Sequence, residues 1–197
     1  MNDDLEKQFD IYMSAKDNQV SSNSQKDLVL KEAEVKVKNL FKENIKNVIE
    51  TVFEKYSENC KERKLNVNYS VESWMGVSLF CLEADSSDNL MRALDEYPTL
   101  MISFDQHHIK YDWFKDYEGY LQTGGEPVCC VSSYRIEKRA LKGIKVGGKK
   151  LVDWLTFSNE YVYRKHKWGF WEISKINESF LSEILEAFIL AYLKQIS

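Results

Sequence analysis

The chain has 197 residues, 44% apolar, 29% charged and 13% aromatic, with eight glycines and two prolines. This is the composition of an ordinary globular domain, and it excludes collagen, low-complexity linkers and wholesale disorder. At roughly 150 residues per domain the length points to one domain, able to bury about 70% of the surface of its unfolded form without a metal or disulfide staple. Lys plus Arg number 27 and Asp plus Glu 31, a net charge of −4, so nucleic-acid binding would have to rest on a local basic patch.

The opening MNDDLEKQFDIYM lacks a basic region followed by an apolar one, and no apolar run approaches the ~18 residues of a membrane span. The expectation is a cytoplasmic chain with no membrane partner. Of the four cysteines, Cys129 and Cys130 are neighbours in an extended stretch, where successive side chains point to opposite faces. The reading is four free thiols in a reducing compartment.

In chain order, Leu5, Phe9, Tyr12 and Met13 recur at helical spacing, and SAKDNQVSSNSQ (14–25) is polar and rich in Ser and Asn. Residues 1–25 therefore read as a short amphipathic helix and a linker, ahead of a single domain at 26–197. From Lys26 to about Lys64 there is no Gly or Pro, and Ala33, Val37, Leu40, Phe41, Ile45, Val48, Ile49, Val52, Phe53, Tyr56 and Cys60 form one helical stripe. Lys38 and Lys55 would fall on the seam of a coiled coil, which favours a helix packed on a core. Leu65, Val67, Tyr69 and Val71 alternate with polar residues as in a half-buried strand, WMGVSLFCL (74–82) suits a central strand, and Ser87–Tyr97 reads as a short helix stopped by Pro98. Thr99–Phe104 and His108–Phe114 are expected strands, the second because Ile109, Tyr111 and Trp113 alternate with Lys110 and Asp112. DYEG and TGGEP mark turns; strands follow at Val128–Ile136 and near 150–157, 160–166 and 169–175, the last two joined around Lys167. Asn177 caps a final helix with an apolar face of Phe180, Leu181, Ile184, Leu185, Phe188, Ile189, Tyr192 and Leu193. Consecutive strands without helical crossovers imply an α+β fold, a single antiparallel sheet of about six to eight strands covered on one face by a long N-terminal helix and a C-terminal helix.

Several chemistries lack their residues. GIKVGGKK (143–150) matches a phosphate-binding loop for seven positions, but Lys150 stands where a Ser or Thr hydroxyl must reach magnesium, so Gly147-Gly148 reads as a turn. Asp105 and His107 would share a strand face, yet a metal needs three or four ligands and His166 lies far along the chain. Glu/Asp-x-Lys occurs only at Glu34-Lys36 and Glu62-Lys64, in the helix, so a nuclease reading is poor; Ser78 lacks the second glycine of an elbow turn. No catalytic residue, metal ligand or cofactor is assigned.

The segment Arg135–Lys150 stands out. It carries Arg135, Lys138, Arg139, Lys142, Lys145, Lys149 and Lys150 against Glu137 alone, which is +6, so the other 181 residues sum to −10. Arg164, Lys165 and Lys167 follow, among Tyr161, Tyr163, Trp168, Phe170 and Trp171. The expected partner-binding set is Arg135, Lys138, Arg139, Lys142, Lys145, Lys149, Lys150, Tyr163, Arg164, Lys165 and Trp168, offered to a protein with an acidic surface. The functional expectation is a non-enzymatic interaction protein of the inhibitor or immunity type, which neutralises a macromolecular target by binding it. Two alternatives stand beside it: a nucleic-acid-binding protein that grips phosphates with residues 135–150 and stacks bases on the aromatics, and a small pocket enzyme on an NTF2-like or similar cupped sheet.

Overall fold

The computed structural model describes residues 3–72, 76–85, 94, 96–112, 114–151 and 165–197. The helix α1 (Asp3–Leu40) passes through a π turn (Phe41–Ile45) into α2 (Lys46–Glu62) without a break. The linker expected at 14–25 is thus helical. It contains no glycine or proline, Ser and Asn cost only about 0.5 kcal/mol each relative to Ala, and Ser24 Oγ donates back to the Val20 carbonyl at 2.9 Å. The π turn has a sequence cause. Val37, Phe41, Ile45 and Ile49 are all buried at intervals of four, and an α-helix drifts about 40° with each such step; the wider turn keeps Phe41 and Ile45 on the core side.

After α2 come β1 (Val67–Glu72), β2 (Val77–Leu82), β3 (Thr99–Ser103), α3 (Gln106–Asp112), α4 (Tyr117–Gln122), β4 (Val128–Tyr134) and the short α5 (Lys138–Leu141). The ribbon strands β5 (Lys145–Val146) and β6 (Lys149–Lys150) follow, then β7 (His166–Glu172) and α6 (Glu178–Ile196). The fold is α+β. Five strands pair antiparallel in the order β1-β2-β3-β4-β7, and β5-β6 form a separate two-stranded sheet. On one face of the main sheet Phe80, Leu82, Leu100, Ile102, Cys129 and Val131 meet Ile49, Val52 and Phe53 of α2 and Ile184, Leu185 and Phe188 of α6. Phe53 and Phe80 cross edge to face at 5.2 Å. Asn177 Oδ1 accepts from the Phe180 amide at 2.9 Å, the cap expected for the last helix.

One expected strand and two expected turns are corrected. His108–Phe114 is not a strand: α3 occupies Gln106–Asp112, because the Asp105 carboxylate accepts from the His108 amide at 3.0 Å and the Asp105 carbonyl from Ile109. Ile109 is fully buried and Tyr111 is 76% exposed, so the two do not share a face. DYEG contributes to α4 rather than to a turn. No turn interrupts the chain at Lys167, which lies inside β7; a bulge there pairs Val131 with Gly169 and Ser132 with Lys167, leaving Trp168 as the extra residue. The expected elements at 152–164 and most of Ser87–Tyr97 lie outside the described residues, as do Trp74, Trp113 and Trp154. Among the described residues the main sheet has five strands; of the other expected strands, His108–Phe114 is helical and those near 150–157 and 160–166 lie largely outside the described residues.

The second sheet face is not bare. Leu79, Cys81 and Met101 pack with Ala84 and Tyr134, and Val128 and Cys130 pack with Leu30 of α1, Ile109 and Tyr117. All four cysteines are free and buried, with at most 6% exposure.

Candidate partner-binding surface

The basic segment folds because it alternates. Ala140, Leu141, Ile144, Val146 and Leu151 are buried, whereas Lys138, Arg139, Lys142, Lys145, Lys149 and Lys150 are exposed. The inner row packs on α6, and the Gln195 side chain accepts from the Glu137 amide at 2.7 Å and donates to the Arg135 carbonyl at 3.1 Å. Gly147 and Gly148 both take left-handed φ, 58° and 76°, as a two-residue hairpin turn demands. The Gly147 amide donates to the Glu183 carboxylate at 2.8 Å. That amide is therefore committed to the turn and does not cradle phosphate.

The register places Lys145 directly opposite Lys150, a like-charge pair that costs stability in a two-stranded ribbon. Among the described residues no carboxylate pairs with Lys142, Lys145 or Lys150, and Arg139 pairs with Glu137. Arg135 takes a left-handed φ of 59° at the end of β4, and its Nε is buried without a partner among the described residues. Lys165 Nζ sits 5.6 Å from the centre of the Tyr134 ring, within cation–π reach.

The remaining expected residues divide. Trp168 is fully buried against the C-terminal helix, its Nε1 donating to Ser133 Oγ at 2.9 Å, with Phe188 6.5 Å away. It fills the core and offers no exposed ring. Tyr163 and Arg164 lie outside the described residues.

Beside the ribbon lies a cleft of about 430 Å³ that the linear sequence did not reveal, lined by Tyr120, Phe170, Trp171, Phe180, Glu172, Lys175, Gly147 and Lys149. Gly147 and Lys149 belong to ribbon and cleft alike. Trp171 and Phe180 meet edge to face at 5.2 Å, and Phe170, 40% exposed, stacks on Phe114 at 5.1 Å. Glu172 accepts from Lys175 at 3.0 Å and from Tyr120 OH at 3.1 Å; the lysine, then the phenol, holds its carboxyl below the usual range, so it is ionised at neutral pH.

A larger cleft of about 730 Å³ lies between α1 and the β3–α3 junction, lined by Lys31, Glu34, Lys38, Gly76, Asp105 and His107. Burial pushes the Glu34 carboxyl up, opposed by the Gln106 amide it accepts from. That bond ties α1 to the start of α3, which is a structural task. Asp105 and His107 stand at the helix start rather than on a strand face, and among the described residues no group of three His, Cys, Asp or Glu side chains is arranged to hold a metal. No helix among the described residues is long and apolar enough to cross a membrane.

Compared with protein-family models, curated proteins and solved structures, the chain matches none.

Proposed function

We propose that this chain is a binding protein of the inhibitor type, which engages a protein partner with an acidic surface through the exposed basic row of residues 138–150. The observation that carries the reading is the Lys145–Lys150 pair. Cations set opposite one another, with no carboxylate partner among the described residues, work against the ribbon and are relieved when an anionic surface docks. The aromatic cleft next to it supplies the apolar element that charge alone lacks, a rigid pocket of the kind that accepts an anchor side chain at the centre of an interface. A compact partner is favoured over nucleic acid because the remainder of the chain sums to −10 and the ionised Glu172 sits within the cleft: a confined acidic patch can meet the ribbon alone, whereas a phosphate chain running on past it would be repelled.

The test begins by capturing partners from the source cell with the parent chain and with the variant Lys138→Gln/Arg139→Gln/Lys142→Gln/Lys145→Gln. The captured protein is then purified and its affinity measured against both across a salt series, with single-stranded DNA and RNA titrated in parallel. The expected result is tight binding of one protein, weakened in the variant together with its salt dependence, while the nucleic acids bind weakly or not at all. Tight, salt-steep binding of generic single strands would move the assignment to nucleic acid. Equal affinities and salt slopes for parent and variant would refute the ribbon's role.

A further inference from the structure

Two uncovered apolar surfaces of opposite charge lie at the two ends of one helical run. From Asp10 to Gln25 every residue of α1 is exposed, with Ile11, Tyr12, Met13 and Val20 at 69%, 62%, 42% and 57%; beyond Asp10 the first buried apolar residue is Leu30. A helical segment with no packing against the described residues, and interrupted by Asn18, Ser21, Ser22, Asn23 and Ser24, lacks a source of stability of its own. The second surface is the groove of about 540 Å³ between α2 and α6, lined by Tyr56, Cys60, Ile189, Leu190 and Leu193. Leu190, Leu193 and Ile196, 47%, 46% and 60% exposed, continue it along α6.

We propose that the chain forms a symmetric dimer in which the exposed N-terminal part of α1 of each copy lies in the α2–α6 groove of the other. Charge selects this occupant. Lys55 and Arg63 border the groove, and its carboxylate, Glu186, already accepts from Tyr56 OH at 2.7 Å. The arm sequence Asp3–Asp10 carries Asp3, Asp4, Glu6 and Asp10 against Lys7. Apolar residues flanked by acids thus face apolar residues flanked by bases, the arrangement of a helix seated in a groove.

Topology makes the occupant a second chain. Arm and groove share the unbroken run from Asp3 to Glu62, and at 1.5 Å per residue Met13 and Asn59 stand about 70 Å apart along it. An arm cannot fold back onto the helix of which it is the beginning. Exchange between two copies also doubles the contact: one short helix in one groove makes a small interface, and two related by a twofold axis approach the ~1,600 Å² of a stable one.

Sedimentation velocity of the full-length protein across a concentration series tests this. A reversible dimer of the 23.2 kDa chain is expected, weakened by salt. Met13→Glu and Leu193→Glu, on opposite sides of the contact, should each raise the dimer Kd about tenfold or more. Both positions are exposed, so circular dichroism and the thermal midpoint at low concentration should match the parent and separate lost association from lost folding. For the pairing itself, Met13→Cys and Leu193→Cys copies are mixed with a short bis-maleimide under native conditions, where the four natural cysteines are buried. Cross-links between the two variants support the exchange. A monomer at every concentration, a dimer indifferent to Leu193→Glu, or cross-links only between Met13→Cys copies would each overturn it.

Discussion

Replacing Gln106 by Leu removes the side chain that joins the end of β3 to the start of β4, and its cost follows from the bonds it makes. Gln106 is fully buried. Its Nε2 donates to the carbonyls of Phe104 at 2.7 Å and Val128 at 2.8 Å, and its Oε1 accepts from the Val128 amide at 3.2 Å and from Tyr117 OH. In Gln106→Leu the two carbonyls lose these donors and the phenol loses its acceptor, while the Val128 amide keeps Tyr117 Oη at 3.1 Å. Three buried groups stripped of a partner at about 1–3 kcal/mol each, partly offset by the apolar replacement, give an expected loss of about 3–5 kcal/mol. At 2–4 °C per kcal/mol for a chain of this size the midpoint falls by about 10 °C or more. Tyr117→Phe should cost less, about 1–2 kcal/mol, because the Val128 amide retains Gln106 Oε1. Urea unfolding with an unchanged m-value is the assay. A Gln106→Leu variant within 1 kcal/mol of the parent would show that the network does not hold the junction together.

Four further outcomes are expected. Alkylation without reductant should label none of the four cysteines in the native protein and all four in denaturant, because every thiol is buried and burial pushes the Cys129 thiol far above its ordinary value; fewer than four labels on the unfolded chain would reveal a disulfide. Burial holds the Glu34 carboxyl above its ordinary 4.5, so the folded state binds the proton more tightly than the unfolded one and stability falls as pH rises from 4.5 through the raised folded value. In Glu34→Gln that part of the slope should vanish, and parallel pH curves for the two proteins would refute the burial argument. Lys150→Gln relieves the repulsion opposite Lys145 and should raise stability by about 0.2–1 kcal/mol while weakening partner binding; a loss of stability would show that the lysine is structural. Deleting residues 2–24 should leave the folded domain with a midpoint within a few degrees of the parent, since every residue from Asp10 to Gln25 is exposed, and a loss of cooperative melting would place the arm in the core.

The architecture was legible where one physical signal acted alone. The period-2 pattern around Val67–Val71 and the Asn177 cap before a wide apolar face each specify one local structure, and both appear as read. The reading failed where two signals compete over a short span. Ile109, Tyr111 and Trp113 alternate as a strand would, yet Asp105 and Glu34 satisfy the first amides of a helix there, and a carboxylate from 72 residues upstream leaves no local trace. The 14–25 stretch misleads for the converse reason: it is as polar as a linker, yet nothing in it breaks a helix.

The candidate surface divides along the same line. Its cations are close in sequence, so counting charge along the chain finds them; their ordered, one-sided display is missed by that count, and the signal for it is Ala140, Leu141, Ile144, Val146 and Leu151, apolar residues that punctuate the basic run and need a core to face. The cleft beside them is assembled from α4, the β5–β6 turn, β7 with the turn after it, and the first turn of α6, so no window of sequence contains it. Trp168 shows why residue type alone could not supply the missing part. It lies three positions from Trp171, a spacing that in a regular strand sends side chains to opposite faces; the bulge brings both to the core side, where Trp168 is fully buried and Trp171, nearer the strand end, is half-buried and reaches the cleft. Which aromatic of a strand meets a partner is decided by pairing across the sheet, and pairing is a property of two segments rather than one.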